Sequence, residues 1–143
     1  MSVWFSESVD GVDWERLALV FKRAPLGIRD PACLQEAFQN SQIRCFVWDG
    51  GELVGAGRAM TDGVRNTVIF DVALLPEYQG RGLGSEIMNF LMERSRAPRV
   101  LLFAAPGKET FYAKLGYRKM KTAMVKYSDP EMAEHYQQLG YTE

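Results

Sequence analysis

Residues 74–85 carry the pattern with the most evident chemistry. Three glycines, Gly80, Gly82 and Gly84, alternate with other residues between an apolar run and an amphipathic one. This pattern predicts a turn between a strand and a helix. The N-terminus of a helix presents unpaired N–H groups and the positive end of its dipole, and glycine lets that backbone approach a bound anion closely. The stretch therefore predicts a site for a phosphate-bearing ligand.

The spacing of these glycines does not fit two common phosphate-binding motifs. The dinucleotide fingerprint G-x-G-x-x-G needs a third glycine at position 85 or 87, where the chain has Ser85 and Ile87. The P-loop needs a lysine directly after its last glycine, and none follows Gly84. A turn without any ligand is the remaining alternative, but three glycines in five residues cost more backbone entropy than a plain turn requires.

The other candidate residues do not form the pattern of a protein nucleophile. Cys33 and Cys45 fall in different predicted elements, and we expect them to be reduced thiols of a cytoplasmic protein that pack as small apolar side chains. His135 is the one histidine, so neither a metal site nor a Ser-His-Asp arrangement is expected. Asp71 lies in an apolar stretch, where an unpaired carboxylate would be costly, so it needs a partner or must face a cleft.

Composition is that of an ordinary folded domain. The chain has 143 residues, of which 47% are hydrophobic and 24% charged, and it is most simply one domain over residues 1–143. Its formal net charge is -1, so the sequence predicts neither nucleic acid nor a membrane surface as a partner. No apolar run is long enough to span a bilayer, and the first residues lack the features of a signal peptide.

Hydrophobic periodicity and turn residues predict the order β-α-α-β-β-β-α-β-α-β with a further helix at the C-terminus. A central meander followed by alternating strands and helices indicates an α/β fold in which a mixed sheet carries helices on both faces. The predicted strands are 3–8, 43–48, 52–61, 66–74, 99–104 and 117–127, the last as a strand or hairpin arm, and the predicted helices are 13–23, 31–38, 82–94, 108–115 and 130–139.

Three stretches resemble the GNAT superfamily of N-acetyltransferases. Residues 79–84, Gln-Gly-Arg-Gly-Leu-Gly, match its Q/R-x-x-G-x-G/A signature. Residues 71–78 look like the family's fourth strand and the lead-in to its pyrophosphate loop, and residues 111–117 look like its late FYxxLGF motif. The resemblance covers residues 43–127 and is closest to small bacterial members similar to plant arylalkylamine acetyltransferases. It implies a GNAT fold, with a mixed, mostly antiparallel sheet that splays at the acetyl-CoA site.

The resemblance also implies a reaction. The acetyl group of acetyl-CoA would pass directly to a primary amine of a small molecule, in a ternary complex, without an acyl-enzyme and without a metal. The pyrophosphate would lie on the glycine-rich turn, and the pantetheine arm would lie along the preceding strand like an added strand. The residues so expected to bind the coenzyme are Val72, Ala73, Leu74, Gln79, Gly80, Arg81, Gly82, Leu83, Gly84, Ser85, Lys108 and Tyr112.

Three residues receive catalytic roles from this resemblance. The backbone N–H of Leu74 is expected to stabilise the developing oxyanion, and Tyr112 is expected to protonate the leaving thiolate. Asp71 matches an aspartate in a subset of the family, where it would anchor the ammonium group or act as a base through water. The alternative for Asp71 is structural, an ion pair with Arg58 on the neighbouring strand. Residues 105–107, Ala-Pro-Gly, depart from the family, where an asparagine is common before the late helix.

No sequence motif identifies the acceptor or the oligomeric state. The acceptor in this fold usually meets the first two helices, the central hairpin and the C-terminal region, which here offer Leu26, Ile28, Leu34, Phe38, Arg58, Asp62 and Tyr127. Acetylation of a protein or peptide is one alternative, and a non-catalytic acyl-CoA-binding module is another. Homodimers are common in the family, and Tyr136 and Tyr141 in the tail either serve such an interface or pack on the domain.

Overall fold

The computed structural model describes residues 2–143. They form two compact units, one ending at Leu102 and one spanning Phe103–Glu143. The strands are β1 (Val3–Ser6), β2 (Ile43–Asp49), β3 (Glu52–Thr61), β4 (Asn66–Leu74) and β5 (Arg99–Leu102), and the helices are α1 (Trp14–Arg23), α2 (Pro31–Gln39), α3 (Leu83–Ser95), α4 (Glu109–Lys114) and α5 (Pro130–Gln138), with a 3-10 turn at Pro76–Tyr78.

The first unit contains a five-stranded sheet in the order β1-β2-β3-β4-β5. Strands β1 to β4 pair antiparallel in sequence order, and β5 pairs parallel with β4. This is the mixed, mostly antiparallel sheet that the sequence predicted. The parallel pairing ends where Ile69 faces Leu102, whereas β4 continues to Leu74. The last residues of β4 therefore run beyond the end of its neighbour.

Helices cover both faces of this sheet. On one face the ring of Phe46 from β2 contacts the rings of Phe38 from α2 and Trp14 from α1, at centroid distances of 5.4 and 6.0 Å. On the other face, the position of a Cβ on Gly57 would lie 2.8 Å from Ile87 and 3.1 Å from Leu91, both on α3. Successive residues of a strand point to opposite faces, so α1 and α2 lie on one side and α3 on the other. This confirms the prediction that helices cover both faces of the sheet.

Local signals in the sequence account for most element boundaries. Asp13 accepts hydrogen bonds from the N–H groups of Glu15 and Arg16 at 3.0 and 3.2 Å and so caps α1. Gly50 has a φ of 60° in the turn between β2 and β3, where a side chain would be strained. Asp62 closes the next turn, because its Oδ1 accepts three backbone N–H groups at 2.7 to 3.0 Å.

Two predicted strands were too long. Strand β1 ends at Ser6 rather than at residue 8, because the Ser6 hydroxyl accepts from the N–H of Ser8 and the Ser8 hydroxyl accepts from that of Asp10, both at 3.1 Å. These local bonds compete with the sheet ladder. Strand β5 ends at Leu102 rather than at residue 104.

The predicted strand or hairpin arm at 117–127 is wrong. None of these residues belongs to a strand, and residues 118–126 are all exposed. Four charged side chains in this stretch fall at both odd and even positions, so neither side of a strand would be apolar: Arg118, Lys119, Lys121 and Lys126. Without an apolar side to bury, nothing offsets the entropy of ordering it as a strand.

The second unit contains α4, α5 and a cluster of tyrosines. The rings of Tyr127 and Tyr136 stack with centroids 5.4 Å apart, and Tyr141 meets Tyr136 edge-on at 5.1 Å. The tail aromatics thus pack on one another within this unit. No helix in the described residues is both long enough and apolar enough to cross a bilayer.

Candidate functional site

The glycine-rich turn forms an uncapped helix N-terminus. Gly80 and Gly82 have φ values of 77° and 82°, in the left-handed region that other residues rarely adopt. Gly82 is the N-cap of α3, and no side chain among the described residues caps this helix. The N–H of Glu86 donates to the Gly82 carbonyl at 3.1 Å, so the N–H groups of residues 83–85 precede the first intrahelical bond. This arrangement suits a bound phosphate group.

The lead-in to the turn is braced from several sides. The Gln79 amide donates to the carbonyls of Leu74 and Ala24 at 2.8 and 3.1 Å. Arg23 donates two hydrogen bonds to Glu77, at 2.9 and 3.0 Å. Gln79 therefore holds the turn to the end of β4 and to the end of α1, a bracing role that the sequence motif did not reveal.

Tyr78 adds a further brace and an aromatic surface. Its hydroxyl donates to Asp49 at the end of β2, and this hydrogen bond is the largest cause that raises the pKa of Tyr78. The guanidinium of Arg81 lies over the Tyr78 ring, 5.2 Å from its centroid, within range of a cation–π interaction. The contact with Tyr78 thus holds the Arg81 side chain close to the glycine-rich turn.

The end of β4 presents backbone groups at an open edge. The N–H of Leu75 donates to the Val54 carbonyl at 3.0 Å. Because alternate residues of an antiparallel strand direct their backbone groups to opposite sides, Ala73 faces β3, whereas Val72 and Leu74 face away from β3, beyond the end of β5. The Leu74 carbonyl accepts from Gln79, and the N–H groups of Val72 and Leu74 are the backbone donors on this side.

Asp71 is a buried carboxylate between two arginines. Only 5% of the residue is exposed. Its Oδ2 accepts from Arg58 Nε at 2.6 Å, and its Oδ1 accepts from Arg29 Nη2 at 3.1 Å. Arg58 pairs directly with Asp71 across β3 and β4, so the ion pair that the structural alternative invoked is present. Arg29 lies in the loop between α1 and α2, where no periodic pattern of the sequence pointed to it.

Tyr112 and Lys108 belong to the second unit. Tyr112 is half-buried in α4, and its ring meets those of Phe111 and Tyr117 at 5.0 and 6.1 Å. Burial, with a smaller effect of Tyr141, raises the pKa of Tyr112 above the usual value of about 10. Such a phenol stays protonated and can donate a proton. Lys108 is exposed at the N-cap position of α4.

Comparison with known proteins agrees with this geometry. Residues 41–119 match the family model of the acetyltransferase (GNAT) domain. An uncharacterised N-acetyltransferase, ycf52-like, from Prochlorococcus marinus is 36% identical over 91 residues, which cover 59% of this chain and 51% of that protein. Serotonin N-acetyltransferase 2, chloroplastic, from rice is 33% identical over 120 residues, covering 77% and 58%. The chain spans between half and three fifths of the length of these relatives.

A solved structure shows the same fold. Arabidopsis thaliana Naa50, in complex with the bisubstrate analogue CoA-Ac-MVNAL, superposes with a TM-score of 0.65 at 17% identity, over 90% of this chain and 93% of that one. At this identity the likeness concerns the fold alone. The family model, which matches more than half of the chain, goes further and agrees with the motifs at residues 71–84 and 111–117. This chain belongs to the GNAT acetyltransferase family.

Proposed function

We propose that this chain is an acetyl-CoA-dependent N-acetyltransferase that acts on a primary amine of a small molecule. One observation carries the proposal: the open edge of β4 leads directly into an uncapped helix N-terminus behind two left-handed glycines. Acetyl-CoA has a group for each part of this surface. Its pyrophosphate is an anion that helix N–H groups bind, and its pantetheine arm carries amides that pair with a free strand edge.

The residues present fit this coenzyme. The N–H groups of residues 80–85 would hold the pyrophosphate, with Arg81 and Lys108 supporting the outer phosphates. Val72 and Leu74 would pair with the pantetheine amides, whereas Ala73 contributes its small side chain, which is fully buried. Gln79 would hold the turn in the binding geometry through its two hydrogen bonds.

The chemistry needs few groups from the protein. The amine nitrogen attacks the thioester carbonyl, the carbon–sulfur bond breaks, and the amine loses a proton to a base or a chain of water molecules. The Leu74 N–H would donate to the carbonyl oxygen as negative charge develops on it. Tyr112 would give its proton to the leaving thiolate, and its raised pKa keeps that proton available at neutral pH.

The geometry around Asp71 favours its structural alternative over ammonium anchoring. Both carboxylate oxygens already accept hydrogen bonds from guanidinium groups. An ammonium group approaching Asp71 would meet two positive charges beside it, so the attraction by the carboxylate would be offset. We therefore propose that Asp71 acts by holding Arg29 and Arg58 in place. The second candidate role for Asp71 is that of a general base that acts through a water molecule.

The test is a broad panel of small amines and short peptides, assayed for thiol release with acetyl-CoA in excess. Because Cys33 is an exposed free thiol, Cys33→Ser protein is used with thiol reagents, and the acetylated product is confirmed by mass. We expect thiol release that requires both protein and a small amine. Tight binding of acetyl-CoA with no product from any amine or peptide would indicate a non-catalytic module, and preference for peptides would indicate a protein or peptide acetyltransferase.

A further inference from the structure

The charges around Asp71 do not cancel. Arg29 and Arg58 carry two positive charges, and Asp71 carries one negative charge, so the cluster has a net positive charge of one. Within residues 2–143 neither arginine has a second carboxylate at ion-pairing distance. A partly buried cluster with surplus charge is stabilised by an anion, since a buried unpaired charge is costly.

One of the two guanidinium groups is reachable from solvent. A third of the Arg29 side chain is exposed, at 33%, against 16% for Arg58. Aromatic rings support both groups, with Arg29 over Phe21 at 4.8 Å and Arg58 over Phe70 at 5.1 Å. These rings and the Asp71 carboxylate fix the guanidinium planes, so Arg29 presents pre-oriented donors to a ligand.

The cluster lies within reach of the position proposed above for the thioester. Asp71 is three positions before Leu74 on β4, a distance of about 10 Å along an extended strand. The open edge of β4 lies between the two positions. The cluster is thus near enough to contact a group on the acceptor while the acceptor amine reaches a thioester held at the Leu74 N–H.

The magnitude of the surplus charge favours a carboxylate as the bound anion. One carboxylate neutralises one positive charge, and its two oxygens match the planar donors of arginine. A phosphate monoester carries about -1.5 to -2 at neutral pH and would leave the cluster negative. An arylalkylamine has no anionic group that would use the surplus positive charge.

We propose that Arg29, supported by Arg58, binds the carboxylate of an acceptor that carries both a primary amine and a carboxylate. Asp71 is then a positioning residue that holds the two guanidinium groups. This assignment rests on the proposed N-acetyltransferase function and specifies its acceptor class. It predicts amino acids or ω-amino acids as better acceptors than the corresponding amines without a carboxylate.

The kinetic test compares matched acceptors. The pairs are tryptophan with tryptamine, and 4-aminobutyrate, 5-aminovalerate and 6-aminohexanoate with their amides, with phosphoethanolamine as the phosphate control. We expect kcat/KM to be higher for the carboxylate member of at least one pair. In Arg29→Gln protein this preference should fall on the order of 10- to 100-fold, the effect of losing a hydrogen bond to a charged group. Most of the loss should be in the KM of the carboxylate member rather than in its kcat.

Two further variants separate charge from folding. Arg29→Lys keeps the positive charge and should retain part of the preference. Arg65→Gln removes an exposed arginine that directly precedes β4 and should leave the preference unchanged. In the wild-type protein, a preference for tryptamine and the other members without a carboxylate would overturn the proposal, as would a preference for phosphoethanolamine. Equal ratios of kcat/KM within each pair in wild-type and Arg29→Gln protein would also overturn it.

A binding measurement keeps the test independent of acetyl transfer. Indole-3-propionate and its amide, which lack the amine, are titrated by ligand-detected NMR in the presence of CoA. We expect the carboxylate to bind wild-type protein more tightly than the amide and to lose that advantage in Arg29→Gln protein. If no amine is acetylated but this difference is found, the proposed reaction fails and the carboxylate site stands. If acetylation occurs but the carboxylate has no advantage, the carboxylate site fails.

Discussion

The Tyr112 phenol remains protonated over a wide pH range because burial raises its pKa. If it protonates the leaving thiolate, Tyr112→Phe should lower kcat by about 100-fold, the lower end of general-acid effects. In the wild-type protein, ionisation of Tyr112 should produce no fall in kcat below about pH 10. The measurement is kcat against pH with a good acceptor. Tyr117→Phe, which removes the hydroxyl of a neighbouring tyrosine with a raised pKa, serves as the control and should keep kcat within a few-fold of wild type.

Asp62 should make the free energy of unfolding depend on pH in the acidic range. Three backbone N–H groups hold its carboxylate and lower its pKa from 3.8 to about 2. A pKa that is lower in the folded state gives stabilisation that is complete above the unfolded value and is lost as the pH falls through the folded one. Measured by urea unfolding, Asp62→Ala protein should therefore have a lower free energy of unfolding than wild type at about pH 6. This difference should become smaller towards about pH 2.

The matched control for this prediction is Asp62→Asn. All three bonds end on Oδ1 of Asp62, and asparagine keeps an oxygen that can accept them without a charge. Between about pH 5 and pH 2 the wild-type protein should lose the stabilisation that the Asp62 charge provides. Asp62→Asn protein has no such charge, so its free energy of unfolding should not show this loss. A wild-type protein whose stability difference from Asp62→Ala is the same at every pH would contradict the assignment.

Partners of single residues were predictable only where a strand brought them together. A buried aspartate within an apolar strand requires a partner, and an arginine on the adjacent strand was the candidate that the sequence offered. Arg58 is that partner because the ladder pairs it directly with Asp71. Arg29 lies 42 positions away from Asp71 in sequence, in a loop without periodicity, so only the folded chain reveals it.

The turn between β4 and α3 depends on backbone conformation more than on side-chain space. A Cβ on Gly82 would meet no atom within 4 Å, but its φ of 82° is unfavourable for other residues. Gly82→Ala should therefore cost about 1 to 2 kcal/mol in the binding conformation and weaken acetyl-CoA binding by roughly tenfold. Titration calorimetry checks this. Gly51→Ala, at a glycine outside the turn that has no left-handed φ and no atom within 4 Å of its Cβ position, should bind acetyl-CoA within a few-fold of wild type, and equal losses in both variants would refute the conformational argument.

Contact between β3 and α3 depends on the absence of a side chain at Gly57. A Cβ there would lie 2.8 Å from Ile87 Cγ2 and 3.1 Å from the Asp71 carbonyl oxygen. Gly57→Ala should destabilise the protein by about 1 to 3 kcal/mol, as overpacking does, measured by urea unfolding. Gly51→Ala meets no atom within 4 Å and is the control. Unchanged stability in Gly57→Ala would show that the helix can move away at little cost.

Element types were easier to predict than element ends. Local chemistry marks several element boundaries, at Asp13, at the turns Asp49-Gly50 and Asp62-Gly63, and at the glycine-rich turn. The helices and the central strands lie where these signals place them. Residues 117–127 were wrongly predicted as a strand, because charged and apolar side chains mix there without a regular alternation. Whether such a stretch forms a strand also depends on a partner strand, and no local pattern of the sequence specifies one. The family motifs located the turn, but its bracing by Arg23, Tyr78 and Gln79 involves distant positions.

At the scale of the whole molecule, the well-buried side chains all belong to the first unit. Among residues 2–143, every buried apolar residue lies between Leu17 and Leu91, and the last buried polar residue is Ser95. The core thus forms around the sheet and α1 to α3, whereas α4 and α5 contribute no fully buried residue. The sheet and its core should therefore fold without residues 103–143, although Tyr112 and any catalysis would be lost.

Cys45 provides the measurement of that independence. It is fully buried on β2, and burial raises the pKa of its thiol to about 12, so at neutral pH it should react with a disulfide reagent only when the sheet opens. In Cys33→Ser protein, labelling should be slow in native buffer and fast in urea, and a chain shortened to residues 1–102 should give the same slow native rate. The reference is Cys33 in Cys45→Ala protein, which is exposed and should label quickly without denaturant. Rapid labelling of Cys45 in the shortened chain would contradict this independence and would mean that the sheet needs the second unit to stay closed.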